Sequence, residues 1–218
     1  MNLLSINLAR SIWLGPTIDF NPRGMRLDHS LFPYLIKTYQ FKKYPLQTET
    51  PDVTKGIIFE EGAFVVEGEN LPVGITLTIF NDGLVADTRS STSYADAFLE
   101  HMLSQASEIF KIPSFQLILK EKLYISQVFV STDKSIELIN PKLKKLSEYL
   151  YQYFEKTKDF QAGGISFWCD QKYKNNPAPF TFERTLNVPF SENRYYSAAP
   201  LPTEKHLELL DMLEKILS

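Results

Sequence analysis

From Ala95 onward, Phe98, Leu99, Met102, Leu103, Ala106, Ile109 and Phe110 recur at spacings of three and one. That pattern is one apolar stripe over four helical turns. Asp96, Glu100, Gln105 and Glu108 fall off the stripe. Ser91, Thr92 or Ser93 supplies the cap, with Asp96 three residues after Ser93 as in a capping box, and Pro113 is the expected stop. Upstream the texture is β-rich. Runs at 57–60 and 63–67 are split by Glu61-Gly62, and 75–80 and 84–88 are separated by Asn81-Asp82-Gly83. An Asp-Gly step between such runs is a strong hairpin signal, because glycine takes a positive φ without steric cost.

The same reading extends to both ends. Residues 7–20 predict two short strands broken at Gly15-Pro16, and Ser30 caps a short helix in which Leu31, Leu35, Ile36 and Tyr39 share a face. Strands follow at 115–119 and 123–130, then a helix capped by Asn140 with Pro141 in its first turn. Leu143, Leu146, Leu150, Tyr153 and Phe154 lie on one side of that helix, and rings at this spacing read as core under solvated lysines. Residues 165–168 and 180–183 form a hairpin, 189–202 an irregular strap, and Thr203 caps an amphipathic C-terminal helix. The stretches 47–54 and 171–179 read as surface loops. No internal repeat is visible. Hairpin-like strand pairs with helices between them imply an α+β fold: antiparallel or mixed sheets with about four helices packed on them. One domain over 1–218 is expected, with a soft division near 113–140.

Composition narrows the function classes. A net charge of −3, with acids and bases interspersed, disfavours broad phosphate neutralisation, so nucleic-acid binding ranks third. The single cysteine, Cys169, and three dispersed histidines offer no disulfide and no zinc motif; no metal or cofactor is expected, and a cytoplasmic setting is. No apolar run is long enough to span a bilayer, so no membrane partner is expected. With 16 Phe and 11 Tyr, the rings exceed what one core obviously needs.

Candidate chemistry is sparse. The passage Asp87, Thr88, Arg89, Ser90, Ser91, Thr92, Ser93 leads from strand to helix, where free N–H groups and a guanidinium could hold a phosphate or carboxylate. The competing reading is a helix cap with Asp87 paired to Arg89. His101, His206 and Asp87 are the available proton carriers, and His29 follows Asp28 with no nucleophile in view. Cys169 after Trp168 reads as an inert thiol. Arg194, Tyr195 and Tyr196 within the strap are candidate interface anchors. The leading expectation is a non-catalytic interaction subunit that binds a protein partner or itself. The alternative is an enzyme or ligand-binding protein using an anion site at 87–93.

Overall fold

The computed structural model describes every residue except 18–26, 46–55, 112–113, 115–118, 171, 173–175 and 218, and leaves out the side chains of 27–30. The loops expected at 47–54 and across much of 171–179, the strand expected at 115–119 (save its last residue), the stop at Pro113, and the side chains of Asp28, His29 and Ser30 therefore lie outside the described residues.

The elements are β1 (Asn2–Leu14), α1 (Leu27–Tyr39), β2 (Ile57–Val65), β3 (Pro72–Phe80), β4 (Gly83–Thr88), α2 (Thr92–Phe110), β5 (Glu121–Ser131), α3 (Lys144–Tyr153), β6 (Gly164–Phe167), β7 (Phe180–Arg184), β8 (Arg194–Ala199) and α4 (Thr203–Ile216). The class is α+β, with one eight-stranded antiparallel sheet in the order β2-β3-β4-β1-β5-β8-β7-β6. The chain traces a strand, a helix, three strands and a helix, and then does so again. Sheet order respects that repeat, reading the same from either end when β1 to β4 are exchanged for β5 to β8. No sequence periodicity announces it, because the two halves fill equivalent places with different residues.

By contacts the chain divides into two compact units, Leu8–Ile125 and a second made of Met1–Asn7 with Ser126–Ser218. In the first, α1 lies on β2 and α2 on β4. Trp13, Leu35, Tyr39, Phe59, Leu77, Leu84, Phe98 and Leu99 form one buried cluster. Its rings meet edge to face, Tyr39 on Phe98 at 4.9 Å and Phe32 on Phe59 at 5.1 Å, the arrangement that ring quadrupoles favour. Alternation sends Arg10, Ile12, Thr76, Thr78, Val85 and Asp87 to the opposite face, where they stay half-buried. The second unit has a smaller cluster of Val128, Val130, Ile136, Phe182, Tyr195, Leu210 and Leu213.

The β3–β4 hairpin closes with Phe80 opposite Gly83, but not for the reason glycine suggested. Gly83 has no left-handed φ; a Cβ there would sit 2.7 Å from the Trp13 carbonyl oxygen. Close approach of β1, and not turn geometry, excludes a side chain. The runs at 57–60 and 63–67 are one strand with a bulge between Phe59 and Gly62. Glu61 takes the left-handed φ of 56°, while a Cβ on Gly62 would collide with the Phe41 ring.

Other boundaries shift. The first strand of the opening segment is one long strand that ends before Gly15-Pro16, since pairing with β4 runs from Ala9 to Leu14, while the second, expected up to residue 20, falls mostly on residues outside the described ones. Helix α1 begins before Ser30 and carries Pro33 inside it. Thr203 is the first residue of α4 and Pro202 its cap. The expected strap at 189–202 contains β8, a strand paired on both sides by β5 and β7.

Candidate functional site

The turn at 87–93 is built as a cap. Ser91 is extended, and its hydroxyl accepts the Ser93 N–H at 3.2 Å. Asp87 does not pair with Arg89: both its oxygens accept from Arg10 across the β1–β4 pairing, at 2.7 Å each. Arg89 is exposed, Ser90 half-buried and Thr92 buried. Asp96 closes no capping box either. Its carboxylate accepts from Trp13 Nε1 at 2.7 Å and Tyr124 at 2.9 Å, and from Ser11 as well. Burial and then this carboxylate push the Tyr124 phenol up to about 12. An acid near the helix N-terminus thus fastens α2 to two strands.

His101 and His206, the histidines whose side chains are described, serve packing. His101 Nδ1 shares a hydrogen bond of 2.9 Å with the Tyr39 hydroxyl. It stands nine residues beyond Thr92, roughly 13 Å along the helix axis, so it does not share a cleft with Arg89. His206, in the second unit, is wholly buried, and its Nε2 meets Ser197 Oγ at 2.9 Å. A serine–histidine pair at that distance resembles a nucleophile with its base, but both side chains are sealed from solvent, so no substrate reaches them. Desolvation lowers the imidazole to about 4, which keeps it neutral at physiological pH. Cys169 is half-buried and free. Among the described residues no group of three or more His, Cys, Asp or Glu could hold a metal ion, and no helix is long and apolar enough to cross a membrane.

The three expected interface anchors separate. Tyr195 is fully buried, stacked on Phe182 at 4.4 Å, with its hydroxyl accepting from the Ile136 N–H at 3.0 Å. It is a core residue and cannot serve as a contact surface. Tyr196, its neighbour on the strand, points to the other face and packs against Phe129 at 5.5 Å, while Arg194 is exposed and paired to Glu192.

The uncovered apolar surface lies elsewhere. Asn140 caps a short 3-10 turn, Pro141–Leu143, by accepting the Lys142 N–H at 3.2 Å, and α3 continues from it. Helix α3 buries no residue at all. Leu146, Tyr149 and Tyr153 are 63, 68 and 72% exposed, and Leu143 and Leu150 are exposed beside them. These side chains sit three or four residues apart, one stripe along the helix. The sequence pattern found the stripe and misassigned it to the core. Lys142, Lys144 and Lys145 are exposed at its N-terminal end, and the first turn holds no acid. At the end of β6, Phe167 and Trp168 are also exposed.

No family model matches the chain, and no curated protein does. Among solved structures it is similar to Methanococcus jannaschii TBP, with 14% identity, coverage of 100% of this chain and 97% of that one, and a TM-score of 0.46. A likeness so distant carries nothing on function, which rests on the residues themselves.

Proposed function

We propose that this protein is a non-catalytic interaction subunit whose α3 receives an acidic, amphipathic segment of a protein partner. The observation behind this reading is the contrast between two helices in equivalent places of the repeat. Helix α1 buries Leu31, Phe32, Leu35 and Tyr39 on the sheet of its unit, whereas the apolar stripe of α3 faces outward. A contiguous exposed apolar stripe is a feature of interaction surfaces, and tyrosine is favoured in them. Its flank indicates the partner's charge. Three lysines crowd the positive end of α3, where the helix dipole favours acids. Carboxylates on an incoming segment would answer both.

The test compares the tagged wild-type chain with the double variant Leu146→Asp, Tyr149→Asp, both expressed in the cells of origin. The substituted side chains are exposed, so stability should stay within ~0.5 kcal/mol of wild type. A specific acidic polypeptide should co-purify with wild type and fall at least tenfold with the variant. Retention of that polypeptide by the variant would overturn the reading. So would wild type that captures no partner, or that forms only a homo-oligomer.

A further inference from the structure

A cleft of ≈ 470 Å³ lies within the second unit, between the ends of β6 and β7 and the loop that leads to β8. Arg184, the last residue of β7, stands in its wall. The guanidinium donates from Nε to the Ala162 carbonyl at 3.3 Å and from Nη1 to the Phe190 carbonyl at 3.2 Å. From Nη2 it donates to Ser135 Oγ at 3.1 Å and to Gln161 Oε1. All four acceptors are neutral, and no carboxylate of the described residues pairs with it. Arg10 and Arg194, by contrast, are each paired with an acid. Of five N–H groups, four are used and one on Nη1 remains. The guanidinium carbon lies over the Phe190 ring at 4.8 Å and the Tyr195 ring at 5.5 Å, and with four hydrogen bonds the charge is fixed in place and not on a loose arm.

We infer that this cleft binds a small monocarboxylate with an apolar body, its carboxylate on Arg184. The charge and the free N–H suit a carboxylate oxygen. Ile165, Leu186 and Val188 supply an apolar lining, with Gln161 and Asn187 as neutral polar groups. Glu183 also lines the cleft; its negative charge disfavours a dianion such as a phosphate monoester and leaves a monoanion as the better fit. The room is at Gly163, whose carbonyl accepts the Arg184 N–H at 2.7 Å. A Cβ built there meets no atom within 4 Å, and its φ is not left-handed, so a larger residue fits the backbone while filling the cleft.

Phenylacetate, phenylacetamide and inorganic phosphate are the probes, titrated into the full chain and followed by protein-observed NMR and thermal shift. Phenylacetate should bind saturably at one site with shifts confined to residues around Arg184, and at least tenfold more tightly than the neutral amide or phosphate. Gly163→Leu should abolish that binding while the protein stays folded; Arg184→Lys should weaken it at least tenfold. Arg184 also ties together the loops it touches, so the glycine variant decides the matter if the lysine variant unfolds. Equal affinity for the amide, tighter binding of phosphate, undiminished binding to Gly163→Leu, or no saturable binding of phenylacetate would each overturn the assignment.

Discussion

His206 carries a pH dependence that its burial dictates. It is the fourth residue of α4, and Ser197 stands two residues before the end of β8; the matching places of the first half are Ala95 in α2 and Ala86 in β4, both fully buried. Where the first half has two methyl groups, the second has a hydrogen-bonded polar pair in a sealed site. The imidazole titrates at about 4 in the fold, against 6.5 when free. A depressed folded value means that the unfolded chain takes up the proton first. The stability due to the neutral ring is therefore complete above pH 6.5 and is lost as pH falls toward 4. A gap of that size corresponds to roughly 3 kcal/mol. Chemical denaturation of wild type between pH 7 and 4 should show this loss, and His206→Gln should show a flatter profile. Parallel profiles would mean that the ring is charged, or hydrated, within the fold.

At the scale of elements, the hairpin into α2 depends on a close approach of backbones. Gly83→Ala leaves φ permissible but brings a methyl against the Trp13 carbonyl oxygen, a rigid neighbour near the end of a paired strand. Such a contact has to be relieved by moving β1 or β4, so the loss should exceed the ~1 kcal/mol that alanine gains over glycine where the site accepts it. Urea unfolding followed by Trp13 fluorescence measures it. A variant as stable as wild type would place the tolerance for this approach in the β1–β4 pairing itself. Helix α2 is held in a second way, through Asp96 and its three donors on β1 and β5, which no local rule of helix capping describes.

At the scale of the molecule, the unit Leu8–Ile125 is one continuous stretch with its own buried cluster, whereas the other needs Met1–Asn7 together with Ser126–Ser218. Residues 8–125 expressed alone should therefore unfold cooperatively in a calorimeter, while 126–218 alone should not. A non-cooperative melt of the first fragment would show that its core is completed from outside. What the sequence by itself determined is the set of elements whose signals are local. Among these are the stripe of α2, the hairpin at Phe80 and Gly83, the β6–β7 pair, and the α+β class that follows from their order. Each of these depends on residues a few places apart. Tertiary structure decided what depends on distant partners. Whether the stripe of α3 is core or surface turns on what faces it, and its spacing is the same in either case. Asp87 finds Arg10, and Asp96 finds Ser11, Trp13 and Tyr124, across strand pairings no local pattern encodes. The same holds for Tyr195, which reads as an anchor in an irregular segment and is a core ring because β5 and β7 pair with its strand from both sides. Arg184 passes unnoticed in the sequence because its distinction, a fixed charge among neutral acceptors, exists only once four separate segments have met.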